Sequence, residues 1–411
     1  MKVLIVNTHD TRGGAARAAY RLHQGLQRIG IQSSMLVLRK YSDDNTVLAP
    51  VSKVRSIWAA LRPEIDLLPV KGYKHRKPVL FSPAWLPFSD AVQRINASDA
   101  DVVHLHWVNG GFLRPEDIAR INKPIVWSLH DMWAFTGGCH YDEDGGCYLS
   151  GCGKCSALNS DAIRDLSRRL FIRKQKAYSK IANMTVVGLS RWLANRAASS
   201  PLLGRFSVVN LPNLIDTDVY APVDRDVARR LLNLPVGRQL VAFGAMNAMG
   251  DPRKGYAQLV EALGKIKNRD ISLLVFGASP PPNPPDFGFP AHYLGGFNDD
   301  LSLRILYSAA DVMVVPSLQE NLSNVIMESL SCGTPVVAFD IGGNGDLIDH
   351  KQSGYLAQPL SADDLANGIE WVLHCDTPSS LRASARAKVG ACFEMKRVAE
   401  QYKQLYLSVQ K

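Results

Sequence analysis

Apolar residues fall along the chain in short, β-branched runs, and each run gives way to a polar or glycine-rich turn and then to a segment of helical period. That alternation predicts parallel strands joined by crossover helices. In the first half the predicted strands are Val3–Val6, Met35–Leu38, Val102–Trp107, Ile125–Leu129, Thr185–Leu189 and Ser207–Asn210; in the second they are Leu240–Gly244, Ile271–Phe276, Asp311–Val315 and Pro335–Phe339. A first helix is predicted from about Ala15 to Ile29, because Ala18, Leu22, Leu26 and Ile29 recur at helical spacing and Gly30 is placed to stop it. Pro212 and Pro222 interrupt both periods around 216–226. The expected fold class is α/β, with two Rossmann-like, doubly wound parallel-sheet domains facing a cleft: 1–216 on the acceptor side, 217–392 binding the donor, and a helix at 393–411 packing back on the first domain.

Composition narrows the class. The chain has 411 residues, 46% hydrophobic and 21% charged, and no apolar run nears the roughly 20 residues that span a bilayer. The opening Met1–Asn7 reads as a buried strand rather than a signal-peptide core, which places the chain in the cytoplasm with thiols or metal ligands in preference to disulfides. Forty-seven Lys and Arg against 38 Asp and Glu give a formal charge of +9, so an anionic partner is expected. The prolines at 280–285 read as a stiff surface loop without chemistry.

The candidate chemistry lies in Val314-Val315-Pro316-Ser317-Leu318-Gln319-Glu320-Asn321-Leu322-Ser323-Asn324-Val325-Ile326-Met327-Glu328, followed by Ser329 to Pro335. A strand ends at Pro316, Glu320 sits in the loop, and a helix starts near Ser323 and stops at Gly333. A helix N-terminus at the carboxyl edge of a parallel sheet offers unpaired amides to a diphosphate. Carboxylates at 320 and 328 suit sugar and ribose hydroxyls. Glu320 and Glu328, with seven residues between, resemble the Glu-x7-Glu signature of family 4 retaining glycosyltransferases of GT-B fold, of the bacterial exopolysaccharide and colanic-acid type. The resemblance implies that Glu320 contacts the transferred sugar, Glu328 the ribose, and Asn321, Leu322 and Ser323 the donor.

Other segments are similar to the same family. Asp251-Pro252-Arg253-Lys254-Gly255 resembles the basic turn that grips the donor diphosphate, where Arg253 and Lys254 would neutralise developing charge without a catalytic metal. The departure is Ala245 after Gly244, where many relatives have arginine, followed by a longer loop through Met249. Gly342 and Gly343 resemble the glycine pair that closes over the donor; an ordinary turn before a helix is the alternative. Gly13 and Gly14 match the N-terminal glycine loop, and His130 the histidine set against the donor sugar, with a strand-capping role as its alternative. His104 and His106 are expected to pack.

Cys139, Cys147, Cys152 and Cys155 fall in one glycine-rich loop and can close a tetrahedral structural zinc site; two disulfides or four free thiols are the alternatives. Between Lys53 and Lys77 seven basic residues interleave with Ile57, Trp58, Leu61, Leu67 and Leu68, a pattern that suits an anionic membrane surface, at about 1 kcal/mol per basic residue, as well as a solvated loop. No nucleic-acid module accompanies the charge. The expected function is retaining transfer from a UDP- or GDP-sugar to a glycan or polyprenyl-diphosphate-linked acceptor in surface polysaccharide biosynthesis, peripheral to the inner face of the membrane. The alternatives are a sugar-nucleotide epimerase, a phosphorylase, or a degenerate transferase acting as a partner protein.

Overall fold

A computed structural model describes residues 1–410 apart from 51, 88, 143–144, 245–250, 269, 278, 280–285 and 298. The proline loop at 280–285 and the departing loop Ala245–Met249 therefore lie outside the described residues. By contacts the chain divides into two units, Met1–Leu214 together with Lys396–Lys411, and Ile215–Met395.

The first unit is built on seven parallel strands, β1 (Lys2–His9), β2 (Gln32–Arg39), β3 (Val47–Leu48), β4 (Val102–Leu105), β5 (Ile125–Leu129), β6 (Met184–Gly188) and β7 (Ser207–Asn210), in the order β3-β2-β1-β4-β5-β6-β7. The second has six, β8 (Gln239–Gly244), β9 (Ile271–Phe276), β10 (Ala291–Tyr293), β11 (Val312–Val315), β12 (Val336–Phe339) and β13 (Gly354–Ala357), in the order β10-β9-β8-β11-β12-β13. Strand order reverses between β1 and β4 in one sheet and between β8 and β11 in the other. Those are the switch points outside whose carboxyl ends α/β sheets bind ligands.

Central strands such as β5 and β11 are buried at every position, because helices cover both faces of a parallel sheet. The first helix, Gly14–Arg28, lays Ala16, Ala18, Ala19, Leu22 and Leu26 into the sheet, and Gly30 past its end takes φ +80°. Fully burying a leucine there contributes roughly 1.5–3 kcal/mol. The helix Met395–Val409 completes the same unit: Tyr406 Oη lies 2.7 Å from His104 Nδ1, and His104 Nε2 lies 2.8 Å from Ser128 Oγ. Among the described residues no helix is long and apolar enough to cross a membrane.

Candidate active site

Three loops converge at the carboxyl edge of the second sheet. The turn after β8 is fixed by Asp251, whose carboxylate accepts from the Arg253 amide, and Gly255 ends it at φ +68°. A Cβ on Gly255 would stand 1.8 Å from the Pro316 carbonyl oxygen, so only glycine lets this turn lie against the end of β11. The Leu318 amide then donates to the Arg253 carbonyl at 2.7 Å, which sets Lys254 beside Glu320 with Nζ 3.5 Å from Oε2.

The third loop follows β12. Gly342, at φ +52°, leaves room for the Glu320 carbonyl oxygen, which an added Cβ would approach to 1.7 Å, and the Gly343 amide donates to that oxygen at 3.4 Å. Glu320 is thus held by its backbone while its side chain remains 17% exposed. Ser323 caps the helix Asn324–Ser331, its Oγ accepting from the Ile326 amide at 3.4 Å. One of the first-turn amides is therefore occupied by the cap itself. Asn321, Leu322 and Ser323 are buried at the start of that helix.

Two residues that the sequence set on the donor have partners within the fold. Arg253 turns its guanidinium onto Asp251, with Nε–Oδ1 at 3.0 Å and Nη2–Oδ2 at 2.7 Å, so its fork faces its own turn; Lys254 is the more exposed cation. Glu328, one turn into the helix, is only 3% exposed and accepts from Tyr307 Oη at 2.8 Å. Burial and the Glu328 charge push the Tyr307 hydroxyl well above its usual range, so it stays a donor. Tyr307 gave no signal in the sequence, since it lies 21 residues before its partner on another helix.

At the carboxyl edge of the first sheet, Gly13 takes φ +98° at the start of the helix Gly14–Arg28, which has neither a side-chain cap nor an acidic residue in its first turn. Asp10 is fully buried, accepts from the amides of Thr11, Tyr41 and Ser42, and so ties this loop to the one after β2. His130, after β5, shares a hydrogen bond with His106 at 2.9 Å, and the His106 ring lies 4.3 Å from that of His104. Burial lowers the pKa of His130 to about 4, opposed by Asp131, and lowers that of His104 to about 3. All three imidazoles are therefore neutral at neutral pH, and His104 and His106 are buried within the fold as expected.

Beside His130 stands a group the sequence did not announce. Asp131 accepts from Trp107 Nε1 at 3.1 Å and the Trp133 amide at 2.9 Å, and its Oδ2 lies 2.6 Å from His140 Nδ1. His140 Nε2 in turn lies 2.8 Å from Ser82 Oγ. Burial would raise the Asp131 carboxyl, but His140 and these hydrogen bonds outweigh it and hold the group below its ordinary range.

The four loop cysteines are free thiols. Cys147 is in hydrogen-bond contact with Cys152 and lies 3.6 Å from Asp142 Oδ1, whereas Cys139 and Cys155 are buried in an apolar cluster with Val70, Phe81 and Leu158. Among the described residues no group of three or more His, Cys, Asp or Glu is arranged to hold a metal ion.

Residues 237–375, about a third of the chain and the part that bears Lys254, Glu320 and Gly342, match the family model described as glycosyl transferases group 1. The D-inositol 3-phosphate glycosyltransferase of Corynebacterium aurimucosum is 29% identical over 323 residues, covering 75% of this chain and 72% of that protein. Among solved structures, the sucrose-phosphate synthase of Thermosynechococcus elongatus superposes with TM-score 0.69 at 19% identity, over 99% of this chain and 98% of the other. An Anabaena protein crystallised in complex with UDP and glucose superposes with TM-score 0.66 at 16% identity, over 99% and 100% of the two chains. At such identities the structures speak for the fold, which is that of GT-B glycosyltransferases.

Proposed function

Starting from a chain that is a transferase of the glycosyltransferase class, with a group 1 domain in its second unit, we propose that it transfers a sugar, with retention, from a nucleotide-diphosphate sugar to a glycan or lipid-linked acceptor. The observation that supports this reading best is the meeting of three loops around Glu320, with Lys254 Nζ 3.5 Å from its carboxylate. A half-exposed pair of this kind is worth no more than about 1 kcal/mol, so a diphosphate can readily take over the ammonium. Lys254 and the remaining amides of the helix Asn324–Ser331 hold the diphosphate. Glu320 accepts from hydroxyls of the transferred sugar; Glu328, fixed by Tyr307, serves the ribose. In the reaction the bond from the anomeric carbon to the diphosphate oxygen breaks and a bond to the acceptor oxygen forms. The acceptor proton leaves toward the departing diphosphate, whose growing charge Lys254 offsets. Retention is supported by the spacing of Glu320 and Glu328, and UDP by the Anabaena complex. On the first unit, Gly13, Gly14 and His130 are assigned to ligand binding, His130 as a neutral hydrogen-bonding imidazole.

The acceptor side of the proposal includes an anionic membrane surface and a role in surface polysaccharide assembly. The helix Lys53–Asp66 exposes Val54, Ile57 and Leu61 along one stripe, at 77, 63 and 50%, and Leu68 follows at 51%. Lys53, Lys71, Lys74, Arg76 and Lys77 are exposed around them. Arg62 and Asp66, counted as surface charges in the sequence, are instead buried: Arg62 donates to the carbonyls of Leu86, Pro87 and Gly111.

Thermal-shift titration with UDP, GDP and their sugars tests the reading, since a ligand at 100 times its Kd stabilises by about 2.7 kcal/mol. Stabilisation by one nucleoside diphosphate, lost in Lys254→Ala, is expected. Donor turnover should fall on the order of a hundredfold in Glu320→Gln, by analogy with losing one transition-state contact. No stabilisation by any nucleoside diphosphate, or wild-type turnover in Glu320→Gln, refutes it.

A further inference from the structure

The opposite, amino edge of the second sheet bears a feature that the donor site does not use. A cavity of about 260 Å³ opens there, lined by the residues that lead into β8, β11 and β12 and by four arginines. Arg225 and Arg229 come from the helix Arg225–Leu231, Arg238 from the turn before β8, and Arg382 from the helix Pro378–Cys392. The only carboxylate in the lining is Asp311.

Asp311 is already engaged by three donors. Its Oδ1 accepts from Arg225 Nη1 at 2.6 Å, and its Oδ2 from Arg229 Nη2 and the Leu240 amide, both at 2.6 Å. Arg229 Nε bonds Ala309 O at the end of the helix Asp300–Ala309 and its Nη1 bonds the carbonyls of Val236 and Arg238, while Arg382 bonds Ser308 O and Ala310 O. The carbonyls at the end of that helix form the negative end of a helix dipole, which accounts for the buried Arg229 and the partly buried Arg382. It does not account for Arg225 and Arg238, whose side chains stay 46 and 44% exposed at the rim. Among the described residues the acidic partner of Arg238 is Asp270, at 3.7 Å and 73% exposed, which contributes little. Arg382 is driven below the usual arginine range by burial, which outweighs the opposing pull of Asp311, with Arg225 and Arg229 adding smaller pushes.

We propose that this cavity binds a multivalent oxyanion, inorganic phosphate or the phosphoryl group of a small metabolite, between the Arg225 and Arg238 guanidiniums. Planar forks with several donors match phosphate oxygens. A cavity of 260 Å³ has room for such a group together with a few waters, whose share of liquid volume is about 30 Å³ each. The site lies at the far end of β11 from Glu320; four residues at about 3.3 Å each separate the two edges by roughly 13 Å, so the anion is no part of the donor's own diphosphate.

The test is thermal shift and equilibrium dialysis of the full chain with inorganic phosphate, against chloride at equal ionic strength, repeated in the double variant Arg225→Gln, Arg238→Gln and in Lys254→Ala. The expected result is a phosphate-specific stabilisation and one dialysable phosphate that survive Lys254→Ala and disappear in the double variant. Melting of the double variant in chloride, and its response to UDP, show that it is folded. Equal effects of phosphate and chloride overturn the proposal, as does phosphate binding retained in the double variant. Binding lost in Lys254→Ala but kept in the double variant assigns the phosphate to the donor site and overturns it too. The proposal does not depend on the donor being a nucleotide sugar, since the two sets of variants report separately.

Discussion

Lys174 should make the first unit more stable as pH rises through the mildly alkaline range. The residue lies on the helix Leu166–Tyr178, fully buried, with Nζ donating to the carbonyls of Trp133 and Thr136 and standing 3.7 Å from the centroid of the Trp133 ring. Burial lowers its pKa from 10.5 to about 7, against the opposing pull of Cys152, Cys139 and Asp131. Because the folded pKa lies below the unfolded one, the unfolded chain binds the extra proton between about pH 7 and 10.5, so stability rises with pH across that window. With those two values, the penalty for keeping Lys174 buried falls by roughly 2–3 kcal/mol between pH 7.5 and 9.5. Lys174→Met removes the titration while leaving every other group in place, so the stability difference between wild type and variant isolates this term. Denaturant unfolding followed by tryptophan fluorescence suits the measurement, because six of the seven tryptophans belong to the first unit. The wild type should gain roughly 2–3 kcal/mol on the variant between pH 7.5 and 9.5. A difference that stays flat over that range would refute the reasoning and mean that the carbonyls and the indole face keep the ammonium charged.

Two further outcomes follow from the same geometry. Gly342→Ala places a methyl group 1.7 Å from the Glu320 carbonyl at φ +52°, so the loop must move; a stability loss of at least about 1–2 kcal/mol from the backbone conformation alone is expected, with the nucleotide-induced thermal shift abolished. An unchanged melting temperature and an unchanged nucleotide response would contradict this. For the membrane face, sedimentation with vesicles of phosphatidylcholine containing 30% phosphatidylglycerol should capture the wild type at low salt. Capture should fall sharply in the double variant Ile57→Asp, Leu61→Asp, and equal capture by pure phosphatidylcholine would argue against charge recognition.

Much of the fold could be read from the sequence because its central strands are uniform apolar runs. Every predicted strand has a counterpart, whereas β3, β10 and β13 were not anticipated. All three are edge strands of two to four residues, and segments such as Ala-His-Tyr in β10 are half-buried, so they lack the apolar run that marks a strand covered on both faces. The candidate site divides in the same way. Lys254, Glu320 and Gly342 stand in contiguous motifs, and the structure gathers their loops at one sheet edge. What the sequence withheld are contacts between distant positions. Gly255 meets Pro316, Tyr307 meets Glu328, and Asp131 reaches Ser82 through His140; none has a spacing rule, since each is set by how helices and loops settle on the sheet.

The chain leaves the first unit after Leu214 and returns to it only at Lys396. During synthesis the second unit can emerge and fold as a continuous segment. The first cannot be finished until its last helix clears the ribosome and Tyr406 arrives over His104. Until then the imidazole layer of the first sheet lacks the cover that Tyr406 gives His104.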